Sequence, residues 1–284
     1  MSRILPLVAI ACLCKGSFSG TLPECVPLWP DGVPLQLAKD GREHNPSLQW
    51  FLAPETNRTR VAIVVYPGGG YSALADEKEG VRIARWLNAH GITAVVCRYR
   101  LGSAGYHHPV EMQDGLQAVR QVRKRAGALV VDKVGVIGFS AGGHLASTVL
   151  THFEGLETRP DFGILAYPVV QMGTRFTHRG SQNCLLGPRR DEQEVHVYLS
   201  NERMVSPETP PVFIFHTDED TGVPVENSLA FYRACRNNGV PAEMHVFAKG
   251  PHGLGLADGR EDTGVWPDLC LTWLRVMGFM GRVR

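Results

Sequence analysis

The sequence is poor in net charge, in cysteine pairs and in long apolar runs, and each shortage removes a class of protein. Its 29 Lys and Arg stand against 28 Asp and Glu, a formal balance of +1. Nothing in that balance points to nucleic acid, to a strongly acidic partner or to a polybasic membrane contact. Beyond the first residues there is no segment apolar and long enough to cross a bilayer, so the mature chain is expected to have no membrane span. The seven cysteines include no C-x-x-C pair, which speaks against a zinc site. There is no internal repeat, low-complexity tract or composition break, and one domain is the simplest reading. What remains is ordinary packed-protein composition, 44% hydrophobic and 20% charged, which argues against disorder.

The N-terminus is the one stretch of different character. Arg3 precedes an apolar run over residues 4–14, and Ser17-Phe18-Ser19 offers small residues where a signal peptidase reads. Residues 1–19 are therefore expected to be a secretory signal cleaved near Ser19 and Gly20, with residues 20–284 as one domain, secreted or periplasmic. Two rivals are an uncleaved anchor and a lipid on Cys12, although Ala9 stands where a lipoprotein box wants Leu. Loss of Cys12 and Cys14 leaves Cys25, Cys97, Cys184, Cys235 and Cys270, an odd number that leaves at least one thiol unpaired in a monomer. Cys97 lies in an apolar strand and reads as a small buried hydrophobe; the sequence assigns no disulfide.

Along the chain, residues 23–46 read as an extended arm with turns, rich in Pro, Gly and charge. Short apolar, β-branched runs over 48–52, 61–66, 92–99, 133–138, 162–167, 212–216 and 242–247 predict strands, several buried on both faces. Between them, apolar residues at helical spacing predict helices over 79–90, 108–125, about 141–151, 224–237 and 265–277. Strands alternating with helices imply βαβ units and a parallel sheet with right-handed crossovers. Residues 171–211 read as long and irregular, with Gly173, Gly180, Gly187 and Pro188 interrupting any helix.

The strongest local signal is Gly138-Phe139-Ser140-Ala141-Gly142. A lone G-x-S-x-G is weak, but here it lies between a predicted strand and a predicted helix, the setting of a strained turn that exposes a nucleophilic hydroxyl. A serine hydroxyl needs a base, and the base an orienting acid. In the hydrolase fold that uses this turn, they follow in the order Ser, acid, His. Asp220 and His252 meet that order, each in a loop just after an apolar strand, so Ser140, Asp220 and His252 are the candidate catalytic residues. Asp218 and Glu219 are adjacent rivals for the acid. Asp220 is preferred because it stands four residues before Pro224, where a helix is predicted. The plainer reading of 218–220 is a solvated acidic loop capping that helix. A calcium site is a further reading, but the run lacks the alternating ligands and the glycine of an EF-hand loop. His107-His108 reads as the lead-in to a helix rather than a metal pair. Pre-set donors for the oxyanion are expected from the N–H of Ala141 and from Gly69 and Gly70, in the glycine triplet after the first long strand.

These residues also resemble a known group. Tyr66-Pro-Gly-Gly-Gly-Tyr71, Val136-Ile-Gly-Phe-Ser-Ala-Gly-Gly-His-Leu-Ala146, His216-Thr-x-x-Asp-x-x-Val-Pro-Val-Glu-Asn-Ser228 and Phe247-x-x-Gly-Pro-His-Gly-Leu-Gly255 are similar to motifs of secreted bacterial α/β-hydrolases of the acetylxylan esterase and feruloyl-esterase-like carbohydrate esterase group. The similarity runs from about Val26 to Leu274. It implies an α/β-hydrolase fold, a mostly parallel central sheet flanked by helices with no large cap domain, and a Ser140–His252–Asp220 triad. It departs at Gly222, where a bulkier apolar residue is expected and a slightly looser acid loop follows. The function implied is a serine esterase acting on a small or polysaccharide ester, most simply acetyl groups on xylan fragments, with no cofactor. The rivals are a serine peptidase on the same fold, which ordinarily carries a large access-restricting domain, and a non-catalytic binding protein. Residues 171–211 lack apolar residues at helical spacing over several turns and read as a polar loop beside an open site, able to bond sugar hydroxyls.

Overall fold

The computed structural model describes residues 24–37 and 45–280. The expected signal at 1–19, with Cys12 and Cys14, lies outside them. Eight strands form one sheet in the order β1-β2-β4-β3-β5-β6-β7-β8. The inner strands are β3 (Val61–Tyr66), β4 (Thr93–Arg98), β5 (Lys133–Phe139), β6 (Phe162–Ala166) and β7 (Val212–Thr217), with β8 (Ala242–Phe247) at one edge. All of these pair in parallel. At the other edge β1 (Glu24–Pro27) and β2 (Ser47–Phe51) run antiparallel. This is the α/β-hydrolase architecture expected from the sequence. Strand β1 is a correction, since its residues read only as part of an arm; their Pro and charge hide a strand that is fixed by pairing with β2.

Every residue of β3 is buried, because helices cover both faces of the sheet. Its side chains alternate between two cores. Ala62, Val64 and Tyr66 join the core beneath α2 (Val110–Leu129), α3 (Ala141–Thr151) and α6 (Glu226–Asn237). Val61, Ile63 and Val65 join the core beneath α1 (Arg82–Ala89) and α7 (Trp266–Val276). The N-terminal arm is pinned by a buried ion pair. Asp114 binds the Arg100 guanidinium at 2.7 Å and accepts the Trp29 indole N–H at 2.8 Å, while Arg100 donates to the Pro34 carbonyl.

Two further corrections concern helices. The helix expected from residue 79 begins at Arg82, and residues Asp76–Val81 form a wider π-type turn ahead of it. The stretch 171–211 is not irregular throughout. It holds α4 (Arg179–Leu186) and α5 (Gln193–Leu199). These are helices of 8 and 7 residues, too short for a periodic signal and only marginal in isolation. They form because Leu185, Leu186, Val195 and Leu199 are taken into the main core and because the His178 ring caps α4 by accepting the Ser181 N–H.

Candidate active site

The chemistry-bearing turns all leave the sheet at the C-terminal ends of parallel strands, as ligand-binding loops do in open α/β sheets. After β5, the chain reverses within Ser140, whose φ of 53° and ψ of −119° lie outside the ordinary regions for an L-residue. The flanking glycines explain themselves by contact. A side chain at Gly138 would meet the Gly142 carbonyl oxygen at 2.1 Å, and one at Gly142 would meet that of Tyr66 at 2.1 Å. Ser140 is held by its own backbone, its N–H donating to Ala166 and its carbonyl accepting from His144 and Val169. The strain is thus carried by a fully packed surround, and α3 starts directly behind the hydroxyl, its N-terminus pointing at the site.

The structure brings the three expected side chains into one hydrogen-bonded row. His252 Nε2 lies 2.7 Å from Ser140 Oγ, and His252 Nδ1 lies 2.6 Å from Asp220 Oδ2. Asp218 and Glu219 are not in that row. Asp218 is exposed, and Glu219 accepts the Gly250 N–H. Asp220 is 5% exposed, and its Oδ1 accepts the N–H groups of Gly222 and Val223. Burial pushes its pKa up, but hydrogen bonds from His216, His252 and Val223 outweigh burial and hold it well below the usual carboxylate range. Gly222 donates to the acid, and a Cβ there would stand 3.1 Å from the His252 ring, so its small size makes room for the imidazole.

Gly69 and Gly70 take positive φ after β3, and their N–H groups and that of Ala141 have no acceptor among the described residues. The Gly68 N–H, one residue earlier, is already committed to Glu79 Oε2 at 2.9 Å. Tyr71 continues the loop with its own positive φ. Its hydroxyl reaches His144 Nδ1 at 2.9 Å, while His144 Nε2 lies 2.8 Å from the Leu199 carbonyl. That carbonyl can only accept, so Nε2 carries the ring proton and Tyr71 donates to Nδ1.

Sequence reasoning missed several of these neighbours. His216 is wholly buried behind the acid, 3.3 Å from Asp220 Oδ2, with Nε2 also on the Val223 carbonyl and Nδ1 on Ser228. A histidine inside the apolar run Val212-Phe-Ile-Phe-His-Thr217 was the signal that could have found it. Tyr167 follows β6, with its ring edge-on to His252 at 5.1 Å and its hydroxyl on Glu79. Nothing in the local pattern around Glu79 marks it. His178 is half-buried against Gly70, where an added side chain would meet its Cε1 at 4.0 Å. Burial lowers its pKa first, then the nearness of His252. Of the histidine pair, His107 bonds the Cys184 carbonyl and His108 packs on Tyr198. The five described cysteines are all free thiols, with Cys97, Cys235 and Cys270 buried. No group of His, Cys, Asp and Glu among the described residues is arranged to hold a metal ion, and no described helix is long and apolar enough to cross a membrane.

Comparison with known proteins places this geometry in context. Residues 84–275, which include Ser140, Asp220 and His252, match the prolyl oligopeptidase family. An acetylxylan esterase of Xylanibacter ruminicola is 37% identical over 226 residues, 78% of this chain and 46% of that protein. Endo-1,4-beta-xylanase B of Butyrivibrio fibrisolvens is 37% identical over 213 residues, 70% of this chain and 33% of that protein. The chain thus spans under half the length of these two relatives. Among solved structures, an acetyl ester-xyloside bifunctional hydrolase from Caldicellulosiruptor lactoaceticus is similar with a TM-score of 0.85 and 38% identity, covering 93% of this chain and 100% of that one.

Proposed function

Because the chain belongs to the prolyl oligopeptidase family of α/β-hydrolases and is a homologue of acetylxylan esterases, we propose that it is a serine carboxylic-ester hydrolase that removes acetyl or other small acyl groups from carbohydrate such as xylan fragments. The observation that carries the reading is the unbroken row from Asp220 through His252 to a strained turn at Ser140. In the reaction, Ser140 Oγ attacks the acyl carbon while His252 Nε2 takes the hydroxyl proton. The carbonyl electrons move onto the oxygen, where the N–H groups of Gly69, Gly70 and Ala141 receive the charge. The bond to the sugar oxygen then breaks, and His252 returns its proton to that oxygen. Water repeats the attack on the acyl-enzyme and frees the acid. Asp220 holds Nδ1 protonated and stabilises the imidazolium that forms twice in the cycle.

The choice of a small acyl group on a sugar is supported by the acetylxylan esterase and acetyl ester-xyloside hydrolase among its relatives and by the wall at 171–211. Leu185, Leu186, Val195 and Leu199 of its two short helices turn into the main core, while Tyr198 and the four arginines Arg175, Arg179, Arg189 and Arg190 are exposed. A lipase cover would turn an apolar face over the cleft. The test is a series of aryl esters from acetyl to palmitoyl beside acetylated xylan. Efficiency is expected to peak at acetyl or propionyl and to fall steeply by octanoyl, with acetate released from xylan. A maximum at long chains makes it a lipase. The peptidase reading, favoured by the name of the matched family, requires turnover of a dipeptide amide. A non-catalytic binding protein would leave Ser140 unlabelled by a fluorophosphonate. Action outside the cytoplasm belongs to the same proposal, and N-terminal sequencing of the exported protein is expected to begin at Gly20.

A further inference from the structure

One buried carboxylate stands beside the reaction centre with no part in the steps above. Glu79 is 4% exposed, in the π-type turn ahead of α1. Single turns of this widened kind inside helices recur at functional sites. Both of its oxygens are occupied. Oε2 accepts the Gly68 N–H at 2.9 Å, and Oε1 lies 2.8 Å from the Tyr167 hydroxyl. That hydroxyl itself accepts the Gly255 N–H at 2.7 Å, so its own proton points at Glu79. Gly68 immediately precedes the Gly69 and Gly70 donors, and Gly255 lies three residues beyond His252. The packing leaves no slack. A Cβ on Gly68 would stand 2.5 Å from Glu79 Oε2 and 3.0 Å from Ser140 Cβ.

We propose that Glu79 is a positioning residue for both halves of the reaction centre: its carboxylate fixes the glycine loop through Gly68 and the histidine loop through Tyr167 and Gly255. The inference rests on the hydrolase reading of Ser140 and His252. Two acceptor roles fit the ionised form, since a protonated oxygen facing an N–H would leave both without an acceptor. Burial raises the Glu79 pKa on balance, against Tyr167, Gly68 and the nearby His252, which favour the charged form. A negative charge here favours the imidazolium, as Asp220 does. The other groups bearing on this arrangement are His178 near His252, His216 behind Asp220, Glu219 on the Gly250 N–H, and Lys78 beside Glu79.

The experiment follows the rate at which a fluorophosphonate labels Ser140 as a function of pH, in the full protein, for wild type, Glu79→Gln, Glu79→Asp and Tyr167→Phe. Labelling needs the serine, its base and the oxyanion donors, but no knowledge of the natural ester. If wild type labels but hydrolyses no ester, the proposed substrate class fails while Glu79 is still tested. Glu79→Gln is nearly isosteric. It is expected to slow labelling by roughly ten- to a hundred-fold and to move the acid limb to lower pH by about half a unit or more, because the imidazole loses a negative neighbour. Glu79→Asp keeps the charge and is expected to hold the limb near wild type while losing rate. Tyr167→Phe cuts the link to Gly255 and is expected to lower the rate with the limb in place, which tests the proposal even where Glu79→Gln does not fold. A Glu79→Gln protein with an unmoved limb, or a Tyr167→Phe protein with wild-type rate, overturns it.

Discussion

The floor of the site and its wall are built on different terms. The floor consists of β3, β5, β6 and β7 with the turns that leave them, and almost every side chain in those strands is buried. The wall, residues 171–211, is two short helices in a polar stretch, tied down at a few points. His144 reaches the Leu199 carbonyl, Asn201 donates to the His144 carbonyl at 3.1 Å, and the Asn227 side chain accepts the Val170 and Gln171 N–H groups at 2.9 Å each. Apolar burial alone places the strands of the floor, whereas the wall is held by a few apolar anchors, Leu185, Leu186, Val195 and Leu199, together with these buried polar bonds. A change in the reacting groups of the floor should therefore abolish activity without unfolding the chain, whereas changes at the wall should grade activity by substrate.

The sharpest break of that contrast is Ser140→Ala. The floor should hold its shape, since the turn is fixed by backbone bonds and glycine contacts, yet turnover of esters should fall by roughly 10⁴–10⁶ because the covalent step has no other nucleophile. Folded Ser140→Ala protein with near-normal turnover, measured beside its circular dichroism, removes Ser140 from the reaction. Next in size is Asp220→Asn, expected to cost on the order of 10⁴ by favouring the wrong imidazole tautomer. Asp218→Asn and Glu219→Gln should stay near wild type, since neither carboxylate reaches His252. Steady-state rates of the three variants decide it, and a crippled Asp218→Asn would reassign the acid.

The same contrast explains what was legible in the sequence. The strands of the floor could be read because a strand buried on both faces is a continuous β-branched run, as in Val61-Ala-Ile-Val-Val-Tyr66. The turn at Ser140 could be read because only glycine fits on either side of it. Ser140, Asp220 and His252, which the fold brings into one hydrogen-bonded row, were readable by their order along the chain. The wall was not, because α4 and α5 are shorter than the window in which periodicity accumulates and take their stability from contacts distant in sequence. Glu79 and His216 escaped for a related reason. Each acts by what it touches across the fold, and neither spacing nor local composition records that.

Where floor and wall meet, the contrast becomes a pH effect. Burial pushes the His144 imidazole down to about 4, with the charges of His152 and His108 adding to it and the Leu199 carbonyl opposing. In the unfolded chain the ring titrates near 6.5. Between those values the unfolded state holds a proton that the folded state refuses, so stability falls as pH drops through this window, and is full above it. His144 alone should remove about 3 kcal/mol between about pH 7 and about pH 4. His108, pushed down to about 4 chiefly by burial, adds to the same slope. Urea midpoints at the two pH values, for wild type and His144→Gln, check this. The variant should be less stable near neutrality but show a flatter pH dependence. Equal pH dependence in the two proteins would place the acid lability elsewhere.

The smallest effect, and the one that tests the wall directly, is expected at His178. Its Nδ1 accepts the Ser181 N–H at 3.2 Å and lies 2.8 Å from the Ser181 hydroxyl. With Nδ1 accepting, the neutral ring carries its proton on Nε2. The ring lies near Gly70, and its Nε2–H has no acceptor among the described residues, which leaves that donor free for a bound molecule. On the esterase reading, the acyl group is small and the alcohol is a sugar dense in hydroxyls, which makes a sugar oxygen the natural acceptor. His178→Asn separates this role from the structural one, because Asn is a strong helix N-cap and can still accept the Ser181 N–H. A lost hydrogen bond to substrate is worth about 0.5–1.5 kcal/mol, so kcat/KM on acetylated xylooligosaccharide should fall by roughly three- to ten-fold, mostly through KM. An aryl acetate has no sugar to contact and should change by less than about two-fold. Equal losses on both substrates would move His178 to the acyl side of the site, and no loss on either would leave the wall without a part in recognition.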